Sequence, residues 1–335
     1  MRKPLKLKNR IYIAASASVA GRDEAAGPLG GLFDVTDTEG NRFGEDTWEK
    51  AESAMQRMAT DAALRRAGYR ADEIDALFAG DLLDQCVGSN YAHSGSGIPY
   101  LGLYGACSTA AEGMILAALA CEAGLGVCAA VTSSHFCTAE RQFRFPLEYG
   151  GQRTPTSQWT VTGAGAFILS RERRGGGVLP RITEVMAGRI VDRGISDLSN
   201  LGAAMAPAAA DTLLRYFGAG ADPSDFDLIR TGDLGREGTD ILRDLCAASG
   251  LDIAPRHADC GLMIYDGCSD KHAGGSGCGC SAAVMAADVL VKVREGALKN
   301  VLFLGTGALM SPVTVNQGST IPGIAHLVRI AGEEG

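Results

Sequence analysis

Gly105-Ala-Cys107-Ser-Thr109 runs directly into Ala110-Ala-Glu-Gly-Met-Ile-Leu-Ala-Ala-Leu-Ala-Cys121. The pattern reads as a tight turn followed by a helix over 109–123 that is apolar on nearly every face. Thr109-x-x-Glu112 matches a capping box, which places the helix start at Thr109. A helix without a polar face belongs inside a layered protein, covered on both sides. Working outward, Pro99–Tyr104 reads as a strand leading into the turn, and Val127–Val131 as a strand after Gly124. Further back lie a helix over 48–67 and a strand over 75–79. Strand and helix alternate, which predicts parallel strands joined by helical crossovers.

The plan then repeats. Ile74-Asp75-Ala-Leu-Phe-Ala-Gly80-Asp81-Leu82 aligns with Phe226-Asp227-Leu-Ile-Arg-Thr-Gly232-Asp233-Leu234, an offset of 233 − 81 = 152. Gly105-Ala-Cys107-Ser108 aligns with Cys278-Gly-Cys280-Ser281, an offset of 280 − 107 = 173. Each turn is followed by an alanine-rich helix, a glycine (Gly124, Gly296) and an apolar strand, the second being Val301–Leu304. Repeats this long are duplicated half-domains, not solenoid units. The charged, glycine-rich Arg171–Gly177 marks the boundary, giving halves 1–172 and 178–335. The fold class expected is α/β, with two duplicated βαβ-rich halves in a layered α-β-α-β-α sandwich. Cys107 and Cys280 should then head equivalent helices, packed together between two sheets.

The 335 residues carry a formal net charge of −8, which argues against nucleic acid as a partner. Hydrophobic residues make up 46% and charged residues 21%, a globular balance. The ten cysteines are scattered through apolar runs, the usage of buried thiols in a reducing compartment. Met1–Arg10 holds five basic residues and no apolar core. It reads as a solvated arm and not as a secretory signal. No apolar run reaches membrane-spanning length, so any membrane association is expected to be peripheral.

A cysteine just before a helix start meets unpaired amides and the positive end of the helix dipole, which lower a thiol pKa or hold an anion. A buried structural thiol is the alternative for Cys107; its strand–turn–helix setting favours a site. After the Val127–Val131 strand come His135, Thr138, Arg141 and Arg144, interleaved with Phe143, Phe145 and Tyr149. Guanidinium forks pair with carboxylates and aromatic faces stack on flat rings. Asp81 and Asp84 fit such a site by ordering donors, or by binding calcium that travels with the ligand. Of the five histidines, His257 and His272 are the candidates for acid–base work and His326 reads as a strand residue. None completes a catalytic set with Cys107 by motif. Cys260, Cys268, Cys278 and Cys280, with His257 and His272, contain zinc-type ligands but not zinc-type spacing.

The duplicated halves with a cysteine heading a buried helix resemble the thiolase and ketoacyl-synthase superfamily. The closer resemblance is to the stage V sporulation protein AD family. It is carried by Gly27-Pro-Leu-Gly30, Ala79-Gly-Asp-Leu-Leu83, Gly105–Thr109, Thr132-Ser-Ser-His135, Thr138–Arg144 and Glu148-Tyr-Gly-Gly-Gln152. Ala204–Thr212, Asp259–Tyr265 and Gly274–Ser281 carry it through the second half. Ser94-Gly-Ser-Gly97 is more glycine-rich than that pattern and could reshape one cavity wall. The resemblance implies a homodimeric thiolase fold that binds dipicolinic acid, alone or as its calcium chelate, for uptake into or release from spores during sporulation and germination. It implies a peripheral place on the spore inner membrane, beside the other membrane components of the dipicolinate channel. On this reading Cys107, Asp81, His135, Arg141, Arg144 and His257 bind the ligand. No residue is catalytic, and no cofactor or resident metal is required. Two other readings stay open: an acyl-transferring condensing enzyme that uses Cys107, and a structural adaptor with a vestigial pocket.

Overall fold

The computed structural model describes residues 3–143 and 153–334. Arg144, Phe145, Tyr149 and the stretch 148–152 lie outside the described residues. In the first half the strands are β1 (Leu5–Ala20), β2 (Val35–Thr36), β3 (Ala76–Gly80), β4 (Tyr100–Leu103), β5 (Val127–Ser134), β6 (Trp159–Thr160) and β7 (Gly163–Ser170). The second half has β8 (Leu179–Met186), β9 (Leu228–Thr231), β10 (His257–Asp259), β11 (Gly275–Ser276), β12 (Asn300–Ala308) and β13 (Gly323–Glu333).

The main sheet runs β4-β3-β5-β7-β1-β8-β13-β12-β9-β10. Read from the central β1–β8 pair outward, the two wings carry the same pattern. β3 is parallel to β4 and β5, and β5 is antiparallel to β7. Likewise β9 is parallel to β10 and β12, and β12 is antiparallel to β13. The expected parallel sheet is therefore mixed, because β1, β7, β8 and β13 are long strands that return without a helical crossover. The two sheets expected are two wings of one continuous sheet. They join where β1 pairs antiparallel with β8, across a register shift between Lys6 and Ile11.

Alternating side chains sort the layers. Phe78, Ala130, Phe303 and Val328 point into a central layer with Met114 and Ile115 of the helix Thr109–Glu122 and Met285 and Val289 of the helical run beginning at Cys278. Their neighbours Leu77 and Ala129 pack outward on the helix Trp48–Ala67, and Leu302 and Leu304 outward on the helices Leu201–Phe217 and Gly235–Ala248. This is the α-β-α-β-α order. The alanine-rich helices suit the middle because small side chains let both wings approach.

Local details correct three expectations. The helix cap is Ser108, with no side-chain cap bond. Thr109 instead closes the turn, donating to the Ala106 carbonyl at 2.7 Å and accepting from Gly105 N–H at 3.0 Å. Glu112 turns inward, where burial raises its pKa. The second helix is capped by Gly277, so the helix starts are offset by 277 − 108 = 169, not 173. Cys280 thus sits inside the first turn, packed among Val161, Cys260 and Ile264, and the counterpart of Cys107 is Ser276. Leu5–Arg10 is no solvated arm: it is the start of β1, and Lys8 and Asn9 N–H donate to Glu122 at 2.8 and 2.9 Å.

Candidate functional site

Cys107 stands on a sharp turn between β4 and its helix. Ala106 takes the left-handed conformation (φ 51°), rare outside glycine. The Ser108 hydroxyl donates to the Gly105 carbonyl at 2.6 Å, and the amides of Ser108 and Thr109 bond back to Gly105 and Ala106. Those amides are spent inside the turn and are not left for an anion, contrary to the expectation for this helix start.

The thiol lines a cavity with Leu82, Tyr104, Phe143, Leu198, Ser276 and Met310. The space open to water centres is 60 Å³, several waters at roughly 15 Å³ each. Cys107 Sγ lies 3.9 Å from the Ser276 hydroxyl. Behind Ser276 is Asp233, fully buried. Its carboxylate accepts from the Gly277 amide (2.8 Å), the Thr306 hydroxyl (2.8 Å) and the Ser276 hydroxyl (3.2 Å). Burial lifts the Asp233 pKa to about 7. Burial first, and then the charge and hydrogen bonding of Asp233, push the Cys107 thiol well above its ordinary value. The helix dipole does not win here: Cys107 is held as a neutral thiol.

Of the other residues singled out from the sequence, Phe143 lines this cavity, but none of the other expected ligand-binding residues that are described does. Asp81 is buried at the end of β3 and accepts from Leu83 N–H, Ser89 N–H and the Ser89 hydroxyl. It is a structural cap. Arg141 is ion-paired with Glu49 at the surface. His135 donates from Nε2 to the Asn41 carbonyl at 2.8 Å and accepts from Cys137 N–H, and burial lowers its pKa to about 4. His257 is on the edge strand β10, bonded to the Thr231 hydroxyl at 2.9 Å and to Arg243 at 3.2 Å, with its pKa lowered to about 3 by burial. Arg144 lies outside the described residues. His272 is exposed, and Ser94–Gly97 do not line the cavity. All ten cysteines are free, and no group of three or more ligands among the described residues could hold a metal.

Asp233 and Ser276, which do face the thiol, were missed as site residues. The signal for Asp233 was present: it is the duplicate of Asp81, at the offset of 152. Cavity walls also come from Leu198, Ser199 and Leu201, at the end of the irregular segment after β8, and no motif marks them.

The fold has solved neighbours. A crystallised variant of OleA from Xanthomonas campestris is similar with a TM-score of 0.63 at 15% identity, covering 98% of this chain and 99% of that one. A tetronic acid condensing enzyme is similar at 0.58 and 15%, covering 97% and 100%. At these identities the likeness speaks for the thiolase-type fold. The sequence goes further. Stage V sporulation protein AD of Bacillus subtilis (strain 168) is 43% identical over 318 residues, 94% of this chain and 93% of that protein. The family model for stage V sporulation protein AD matches residues 1–331. With both wings of the sheet and the cysteine turn inside that match, the chain belongs to the stage V sporulation protein AD family.

Proposed function

We propose that this protein binds dipicolinic acid without transforming it, as a peripheral component of the dipicolinate channel at the spore inner membrane. The ligand and the setting are those that the family resemblance implies. The observation that carries the non-catalytic part is Asp233 against Cys107. A cysteine nucleophile needs a partner that takes its proton and then tolerates the thiolate. Here the group in reach is the Asp233 carboxyl, which cannot take the proton as an acid and, after taking it as a carboxylate, is left neutral with no positive charge to hold the thiolate; no histidine lines the cavity among the described residues.

The walls suit a flat ring: Leu82, Phe143, Leu198 and Met310 are apolar, while Tyr104, Thr160, Ser199 and Ser276 offer hydroxyls. Glu140 also lines the cavity, paired with Arg153 at 3.2 Å. With Arg153 engaged by Glu140, the wall offers no net positive charge to a bare dianion, so the calcium chelate, whose charge is cancelled, is the favoured form. Calcium then arrives as part of the ligand. No helix among the described residues is long and apolar enough to cross a membrane, which fits docking onto membrane partners. The edge strand β4, with Leu101 47% exposed and Tyr91 at 70% nearby, is where a second copy pairs.

One observation favours the condensing-enzyme reading: the left-handed Ala106 presents Cys107 as a nucleophile is presented. Calorimetry with dipicolinate, with and without calcium, separates the two. Binding is expected in the parent and tighter with calcium. Without calcium, Cys107→Asp should lose about a thousandfold more than Cys107→Ala, from roughly 4 kcal/mol of like-charge repulsion at close range. Equal calcium-free affinity in Cys107→Asp and the parent would place the ligand elsewhere.

A further inference from the structure

β6 has two sides. Thr160 faces the Cys107 cavity, while Trp159 lines a separate cleft of about 320 Å³ with Arg22, Glu24, Asn41, Trp48 and Phe136. Glu24 is 1% exposed. Its Oε1 accepts from the Thr162 amide at 2.9 Å and from the Tyr265 hydroxyl. Its Oε2 is buried with no hydrogen-bond partner among the described residues. A side chain at Gly21 would come within 2.6 Å of Asn41 Oδ1 and 2.9 Å of Glu24 Oε2. It would also come within 2.8 Å of Thr162 Cγ2, so only glycine lets the Asn41 and Glu24 oxygens converge at this end of the cleft.

The cations nearby are engaged elsewhere. Arg22 is largely in solvent beside Asp23 at 3.5 Å. Lys271 holds Asp23 at 2.6 Å and sits 3.4 Å from the centre of the Trp159 ring. Arg42 covers the Trp48 ring. Lys271 shows that an ammonium is accepted here by carboxylate and indole together. The cleft beside Glu24 offers the same elements, carboxylate and indole, and a buried carboxylate gains most from a counter-charge. We propose that this cleft binds a primary ammonium group on a short apolar chain. The ammonium bonds Glu24 Oε2 and Asn41 Oδ1, and the chain lies along Trp48 and Phe136. If the ligand is an α-amino acid, Arg22 meets its carboxylate at the mouth.

The test uses butylammonium, norleucine and butyrate as probes on the full chain. Its two tryptophans, Trp48 and Trp159, both line the cleft, so intrinsic fluorescence reports occupancy. Saturable quenching by butylammonium and none by butyrate is expected. Glu24→Gln keeps an acceptor for Thr162 and Tyr265 but removes the charge, and should weaken binding at least about tenfold. Gly21→Ala forces Asn41 and Glu24 away from each other and should do the same with the Glu24 charge intact. Norleucine binding tighter than butylammonium supports an amino acid as the source. Weaker norleucine binding supports an amine without a carboxylate. Quenching by butyrate as well, no response to butylammonium, or unchanged affinity in Glu24→Gln overturns the proposal.

Discussion

Asp233→Asn removes one charge from the site and little else. The asparagine oxygen can still accept from the Gly277 amide or the Thr306 hydroxyl, the bonds that hold Asp233 in place. What disappears is the carboxylate against the Cys107 thiol. Ser276 Oγ stands 3.9 Å from the thiol and 3.2 Å from the carboxylate; two like charges roughly 4–6 Å apart at an effective dielectric near 20 repel by about 3–4 kcal/mol, which is about two to three pH units of thiol ionisation. Burial is the larger cause of the raised Cys107 pKa and is unchanged, so the thiol should remain above its ordinary value or close to it. The assay is the rate of alkylation of Cys107 against pH, read by peptide mass spectrometry. A short cysteine peptide in the same reaction serves as the reference. In the parent, the Cys107 midpoint should lie above that of the peptide; in Asp233→Asn it should fall by about 2–3 pH units. A parent midpoint below that of the peptide would falsify the neutral-thiol argument. A midpoint that ignores Asp233→Asn would show that burial alone sets it.

Three further outcomes are expected. Acetoacetyl-coenzyme A should not turn over above background, and steady thioester cleavage that vanishes in Cys107→Ser would establish the condensing enzyme instead. Glu24 should make the fold less stable as pH rises: its pKa is about 7 when folded against 4.5 as a free side chain, so the folded state binds the extra proton. That stability is whole below about pH 4.5 and is lost as pH climbs through 7, about 3 kcal/mol in all. Urea unfolding at both ends of this range should show a flatter profile in Glu24→Gln, and an identical slope would contradict the raised pKa. On the proposed pairing at the β4 edge, the parent should sediment as a dimer and Leu101→Arg as a monomer; a monomeric parent would refute the pairing, and a dimer in both would move the interface off that edge.

The layered fold was legible because burial writes itself into periodicity. The helix over 109–123 ends one residue from the observed Glu122, since an apolar, alanine-rich run has one stable home. The duplication was legible from Gly80-Asp81 and Gly232-Asp233, whose strands prove equivalent. The antiparallel strands β1, β7, β8 and β13 were not, because strand direction is set by long-range pairing that leaves no local signal. At the site, Cys107 was legible from its turn. The basic and histidine residues around it were chosen by nearness in sequence to one strand end, but a helix after a strand sends successive side chains to different faces. Arg141 leaves toward Glu49, while Ala139 on the same helix packs on Cys107. Ser276 was hidden by aligning the second turn on its cysteine when the helix caps set the true register.

The pairing of Asp233 with Cys107 also explains how one scaffold serves condensing enzymes and, on the proposed reading, a binder. The left-handed Ala106 costs on the order of 1 kcal/mol, and such strain persists only where its surroundings impose it. They do so here: a side chain at Gly307 of β12 would come within 2.6 Å of the Gly105 carbonyl, and one at Gly305 within 2.6 Å of the Ala111 methyl. The second wing of the sheet thus presses directly on the cysteine turn and fixes its shape for either chemistry. The fold leaves free the residue that the second wing aims at the thiol. The duplicated position shows the range of outcomes within one chain. Asp81 spends its carboxylate on the amides and hydroxyl of the segment after β3, whereas Asp233 accepts from Ser276, which faces the thiol, and acts on Cys107 from behind it. A base there that becomes a cation would draw out the thiolate. On the proposed reading, a carboxyl keeps the proton on sulfur, and the turn then supplies a shaped floor for a ligand.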